Sequence, residues 1–155
     1  MEDKIDKLIH EYKLYYCVEC GKCVAACPMN VIYDDFTYGF SSRGIIRKVI
    51  LEQDVVDGED IWNCLNCKLC EEVCPAGVKF SDFIKDAREK AIAEGHSENA
   101  AHCDRCGTYY LPVRTVSAYK HMLDKNHRPE EFTNLCPKCK LDSSAEHMKL
   151  DVFKR

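Results

Sequence analysis

At 155 residues the chain is long enough for one domain or two small ones, each with a limited apolar core. Twelve cysteines in that length exclude a fold held by hydrophobic packing alone, because cross-links, covalent or coordinate, must do part of the core's work. The net charge of −4 excludes a broad electrostatic attraction to nucleic acid or anionic lipid, although not a local basic patch.

The charged opening, Met1-Glu2-Asp3-Lys4, lacks the apolar centre of a signal peptide. No apolar run approaches the roughly 20 residues that span a bilayer. The most apolar stretch, from Gly44 to Leu51, is interrupted by Arg47 and Lys48. A reducing, cytoplasmic setting is therefore expected. Free thiolates there bind metal more often than they form a disulfide scaffold.

In chain order, Ile5, Leu8, Ile9 and Tyr12 recur at helical spacing and predict a helix over about 3–14. The first cysteine block, Cys17 to Cys27, is closed by Pro28, and residues 29–40 read as turn-like and aromatic. Ser41 and Ser42 offer an N-cap to a helix striped by Ile45, Ile46, Val49 and Ile50, expected to run to about Gln53 and end before Gly58. The second block, Cys64 to Cys74, is closed by Pro75. Ser81 is the expected cap of a further helix carrying Phe83, Ile84, Ala87, Ala91 and Ile92, with Gly95 as its stop. Residues 95–101 read as a linker. Beyond them come two more cysteine pairs around a helical stretch marked by Val116, Tyr119 and Leu123. The fold class expected is mainly α: a helical dicluster domain over 1–95, then a small metal-stapled α/β domain over 101–155, zinc-ribbon-like.

The blocks are Cys17-x2-Cys20-x2-Cys23-x3-Cys27-Pro28 and Cys64-x2-Cys67-x2-Cys70-x3-Cys74-Pro75. Each is the complete run used by bacterial-type [4Fe–4S] ferredoxins. Three cysteines at x2 intervals wrap three corners of a cubane, and the fourth ligates the other cluster. The expected ligands are Cys17, Cys20, Cys23 and Cys74 for one cluster, and Cys64, Cys67, Cys70 and Cys27 for the second. Zinc is the weaker alternative, since zinc knuckles have no use for the third and fourth cysteines. With every corner held by a thiolate, no iron is open to substrate, so the clusters should relay electrons without catalysing.

Gly21 permits a tight turn around the sulfides. Val18, Val24, Ala25, Ala26, Leu65, Leu69, Val73 and Val78 are expected to exclude water. Lys22 and Lys68 read as counterparts in the two blocks that would raise the cluster potentials or dock an acidic partner, although solvated loop lysines are the commoner case. The gap from Pro28 to Asn63 is 36 residues and contains a helix, which argues against the compact βαβ-type ferredoxin and for an all-helical dicluster arrangement.

Residues 10–95 resemble the C subunit of heterodisulfide reductase. The resemblance rests on both cysteine blocks, on Ser42-Arg43-Gly44-Ile45-Ile46-Arg47-Lys48 and on Asp60-Ile61-Trp62-Asn63-Cys64. It implies the alpha-helical ferredoxin fold, shared with the dicluster half of fumarate reductase and succinate dehydrogenase iron–sulfur subunits. Those subunits also carry an N-terminal [2Fe–2S] domain, and with 16 residues before Cys17 that subunit type is not expected here. It also implies partners: a flavin-containing A-type donor subunit and a cysteine-rich B-type catalytic subunit. The CCG motifs of the latter are absent, so this chain would be the non-catalytic electron-transfer subunit. Arg43, Arg47 and Lys48 would line an interface, unless they are merely solvated.

Cys103-x2-Cys106 and Cys136-x2-Cys139, 29 residues apart, supply four thiolates, the requirement of a structural zinc site. This pairing resembles zinc-ribbon tails on other iron–sulfur subunits. Two alternatives remain: a finger using His121 or His127 with Cys103 and Cys106, and a third Fe–S cluster. His10, His96, His102 and His147 show no partner spacing and are expected at the surface. Tyr109, Tyr110, Val113, Tyr119 and Leu123 are expected to form a miniature core.

Three functions compete. The leading one is an electron relay within a heterodisulfide reductase-type complex, with no nucleic acid and no direct membrane insertion. A freely diffusing dicluster ferredoxin is second, and would not co-elute with large flavoprotein or cysteine-rich subunits. A redox-sensing nucleic-acid binder is last. Arg105, Arg114, Lys120, Lys125 and Arg128 supply charge, but no compact basic helix.

Overall fold

A computed structural model describes residues 2–152 apart from Asp54 and Asp57, with the side chains of 2–4 and 146–152 also left undescribed. The chain divides into two compact units, Met1–Asn99 and Ala100–Arg155, at a boundary inside the 95–101 stretch. About 53% of the protein is helical and the sheet is a single two-stranded one among the described residues, so the fold is mainly α.

The first unit contains α1 (Glu2–Glu11), α2 (Lys22–Ala25), α3 (Met29–Ile32), α4 (Ser42–Ile50), α5 (Leu69–Glu72) and α6 (Phe80–Ala93). Short 3-10 turns at Leu14–Tyr16, Tyr38–Phe40 and Asp60–Asn63 link them. Its core is made by Leu14, Ile45, Ile61, Val55, Phe83 and Ile84, all sealed from solvent. Residues 29–40 are thus more ordered than their sequence suggests, holding one helical turn and one 3-10 turn.

Ser41 caps α4 as expected, its Oγ accepting from the Gly44 N–H at 3.1 Å and donating to the Tyr38 carbonyl at 2.6 Å. The helix stops three residues short of Gln53. Glu52 takes a left-handed φ of 56°, and its N–H and that of Gln53 return to the Val49 and Lys48 carbonyls. The same closure ends α6, with Gly95 in the left-handed position, bonded to Ile92, and His96 bonded to Ala91. Ser81 does not cap α6, which begins one residue before it. The Glu71 carboxylate, arriving from α5, accepts instead from the Ser81 N–H at 2.6 Å and the Asp82 N–H at 3.3 Å.

Two contacts fasten Tyr12, just after α1, to α6 and the residue before it. Tyr12 donates its hydroxyl to the Asp86 carboxylate at 2.5 Å, and the Lys79 N–H donates to the Tyr12 carbonyl at 3.0 Å. Arg88 is 4% exposed on the inner side of α6. Its guanidinium donates to the Ile61 carbonyl at 2.9 and 2.6 Å and to the Cys64 carbonyl, and lies 5.6 Å from the Trp62 ring centre. A buried cation with these acceptors pins the start of the second cysteine block to the helix.

In the second unit β1 (Ala100–His102) pairs antiparallel with β2 (Tyr109–Pro112), and α7 (Val113–Lys125) and α8 (Pro137–Val152) follow. Ala100 and Ala101 therefore belong to the strand and not to a linker. The expected tyrosine core is not found: Val113 and Tyr119 are 40% and 47% exposed, and Tyr109, Tyr110 and Leu123 are only partly covered. The buried cluster consists of Cys103, Cys136 and Cys139, with Tyr110 and Leu135 packed against it.

Candidate metal centres

The two cysteine blocks fold alike. An offset of 47 residues, Cys17 to Cys64, superposes the pattern. Each block enters from a 3-10 turn and makes two left-handed residues, Glu19 and Gly21 in the first, Asn66 and Lys68 in the second. Each then runs into one turn of helix, α2 or α5, and ends at Cys-Pro. The Gly21 carbonyl accepts from Val24 at 3.0 Å, and the Lys68 carbonyl from Glu71 at 2.9 Å. The counterpart of Lys68 is therefore Gly21 and not Lys22. Left-handed backbone suits glycine and strains lysine; Lys68, at φ 67°, holds Asp82 at 3.1 Å across the rim. Lys22 is exposed.

Two cavities open beside these loops, with about 420 and 390 Å³ of empty space including their mouths. Cys17, Cys20, Cys23 and Cys74 line the first, joined by Cys70. Cys27, Cys64, Cys67 and Cys70 line the second. Each cavity thus collects a block's first three cysteines and the last cysteine of the other block. Ser42, Cys70 and Phe80 line both. The remaining walls are largely apolar, from Ile46, Val78 and Pro75 in one and Met29, Phe40 and Pro28 in the other. A thiol-rich, mostly apolar hollow suits the sulfur ligation of an iron–sulfur cluster.

The residues expected to exclude water divide. Val78 is buried, and Val18 lines the first cavity although 66% exposed, but Leu69 and Val73 are 40% and 37% exposed and line neither cavity. Their place is taken by Phe80, Met29 and Ile46, which come from α6, α3 and α4 and carry no local motif. Cys20 and Cys67 sit at the exposed rims.

Burial pushes the Cys27 and Cys64 thiols above the usual range, against the opposing pull of the Met29 N–H and of Arg88 respectively. Burial, reinforced by Cys64 and Glu71, pushes Cys70 up to about 12. Such thiols are protonated at neutral pH until a metal displaces the proton. Arg43, also at the first cavity, bridges to Glu19 at 2.9 Å and lies 5.7 Å from the Tyr38 ring centre. Lys48 is not a free interface charge, since it pairs with Asp60 at 2.6 Å.

The second unit gathers Cys103, Cys106, Cys136 and Cys139, with all four sulfurs within 4.8 Å of one another. Cys103 leaves β1, and its knuckle closes through Gly107 N–H to the Cys103 carbonyl at 2.8 Å. The Asp104 N–H reaches the Asn134 carbonyl at 3.1 Å, drawing in the second knuckle, and Cys139 lies in the first turn of α8. Backbone N–H groups of Cys136, Cys106 and Arg105 lower Cys103 to about 6, whereas burial raises Cys139 to about 12. His121 and His127 are exposed and stand outside the thiol group. His10 and His102 are exposed and His96 is partly covered; the side chain of His147 lies outside the described residues.

No described helix is long and apolar enough to cross a membrane. No curated protein is similar enough to the chain to count as a relative. Residues 13–78 match the family model of the 4Fe-4S dicluster domain, a span that contains both cysteine blocks and both cavities' thiols, and the match supports an iron–sulfur electron-transfer role.

Proposed function

We propose that the chain is an electron-relay subunit of a heterodisulfide reductase-type complex, with Cys17, Cys20, Cys23 and Cys74 holding one [4Fe–4S] cluster and Cys64, Cys67, Cys70 and Cys27 the other. The observation that carries this reading is the composition of the two cavities: three cysteines of one block and the last of the other in each. Bound clusters supply one-electron transfer at potentials set by their surroundings. The chain's own residues do the rest. Eight thiolates complete both ligand sets, so no site is left for substrate. Phe80, Val78, Met29 and Ile46 keep water from the sulfurs. Cys70 and Phe80, common to both cavities, keep the two centres adjacent. The exposed rims at Cys20 and Cys67 offer two approaches, one for a flavin-bearing donor subunit and one for a cysteine-rich acceptor.

In the tail the ion proposed is zinc, held by Cys103, Cys106, Cys136 and Cys139. A tetrahedral site with Zn–S bonds of about 2.3 Å needs sulfurs about 3.8 Å apart. Cys106 and Cys136 stand at 3.8 Å. A cubane would hold its outer thiolates roughly 6 Å apart, wider than the 4.8 Å limit of this group. Because the thiols are themselves the buried cluster, the ion would supply the stability that a unit of this size lacks.

Anaerobic purification of the native protein tests the reading. About eight irons and one zinc per chain are expected, together with co-purifying flavoprotein and cysteine-rich subunits. About four irons would sink the two-cluster assignment, and elution as a lone chain would sink the complex.

A further inference from the structure

Helix α4 begins at the seam of the two cavities with a hydrogen-bond donor left unused. Ser42 is 5% exposed and lines both hollows. Its Oγ has no hydrogen-bond partner in the protein. The neighbouring Ser41 shows the contrast, with its hydroxyl fully engaged in capping. Buried hydroxyls are rarely left without a partner, so this one points to a missing acceptor.

The next residue repeats the pattern. Arg43 gives one terminal nitrogen to Glu19, but its Nε is buried and unpartnered, and the side chain lines only the first cavity. Both donors sit at the N-terminal end of a nine-residue helix, where the backbone already favours negative charge. Thiolate and sulfide sulfurs are the acceptors such hollows would present.

We propose that the Ser42 hydroxyl, on the wall that the two cavities share, donates its single hydrogen bond to a thiolate or sulfide sulfur and raises the reduction potential of the cluster that accepts it, while Arg43 Nε acts on the Cys17–Cys20–Cys23 centre. Ser42 is thus a tuning residue at the seam of the relay. Reduction adds one electron to a cluster, part of whose charge spreads onto its sulfurs. A donor stabilises that form more than the oxidised one, which lifts the potential.

This inference rests on the two-cluster reading, so the experiment separates them. The full chain, Ser42→Ala and Ser42→Thr are reconstituted anaerobically, assayed for iron, and titrated redox-potentiometrically with EPR detection of each centre. All three should hold about eight irons. Ser42→Ala should lower the reduced-to-oxidised ratio of one centre at least threefold at fixed potential, about 28 mV at 59 mV per tenfold for one electron. Ser42→Thr, which keeps the hydroxyl, should stay near the parent. Arg43→Lys, which keeps the charge and loses Nε, should move the Cys17 centre more than the other. Should Ser42→Ala fail to load, Ser42→Gly removes the same hydroxyl and is read in its place. About four irons in the parent would overturn the two-cluster reading itself. Eight irons in the hydroxyl-deleted variant with both potentials unmoved would overturn the role of Ser42 and leave that reading intact.

Discussion

Replacing Gly44 by alanine puts a methyl group where the backbone of the Tyr38–Phe40 turn already is. A Cβ there would overlap the Tyr38 carbonyl oxygen and meet Gly39 Cα and C at 3.0 Å. All three are backbone atoms, so no side-chain end can swing aside, and the helix or the turn must move by on the order of an ångström. Overpacking against backbone belongs at the upper end of its range, about 3 kcal/mol. Alanine returns about 1 kcal/mol of helix propensity. The net loss is about 2 kcal/mol, a roughly 30-fold fall in the folded-to-unfolded ratio. With a urea m-value of about 2 kcal/mol/M, the midpoint should drop by about 1 M. Trp62, the chain's single tryptophan, is buried in the first unit, so its emission reports that unit alone in an anaerobic titration of the loaded protein. Gly58→Ala is the control, because its Cβ would find nothing nearer than 4.0 Å, and its midpoint should stay within about 0.5 kcal/mol equivalent. A Gly44→Ala midpoint equal to or above the parent's would refute the close approach of turn and helix that places Ser42 and Arg43 at the cavities.

Cys74→Ser should damage the cluster held by Cys17, Cys20 and Cys23, and Cys27→Ser that of Cys64, Cys67 and Cys70; EPR spectra showing each variant harming only its own block's centre would refute crossed ligation. Cys139→Ser should release about one zinc per chain with no loss of iron, whereas loss of a reducible visible band would make the tail a third cluster. Tyr12→Phe should cost about 1 kcal/mol at pH 8, the charge-assisted bond to Asp86 being discounted for partial exposure. That bond, followed by desolvation and the Asp86 charge, raises the Tyr12 hydroxyl from 10.0 to about 12. Its contribution is therefore whole below pH 10 and is lost as the pH climbs towards 12, since the unfolded chain releases the proton first. Urea midpoints at pH 8 and 11 should converge for parent and variant; a constant gap would refute the linkage.

What the sequence revealed about the site was the part that is local in the chain. A cluster loop takes three ligands from seven consecutive residues, so its spacing is written directly in Cys17-x2-Cys20-x2-Cys23 and its repeat. Ser42, Cys70 and Phe80 become shared lining only when α4, α5 and α6 converge, and nothing in the local pattern of any of them signals it. The water-excluding set divided for a related reason. Residues such as Leu69 and Val73 lie in short turns without helical or strand periodicity, so hydrophobicity alone does not say which way they face. In the tail, counting aromatic residues pointed to a core that the thiols supply instead.

The helix ends show the same division in terms of single bonds. The closure at the end of α6 was legible because its left-handed position is filled by Gly95, the residue with the least to lose there. At the end of α4 the identical pair of hydrogen bonds is made around Glu52, a residue that does not advertise left-handed backbone, so the sequence pattern runs three residues past the helix end. The start of α6 is further from the sequence still. Ser81 has the chemistry of a cap, yet the acceptor is Glu71, ten residues upstream in α5. That carboxylate adjoins Cys70 in the helix that ends the second ligand loop, so the same side chain that caps α6 also ties the cluster loop to it. A local capping rule finds the residue type and misses the donor–acceptor pairing, because the partner is supplied by the tertiary fold that the cysteine blocks organise.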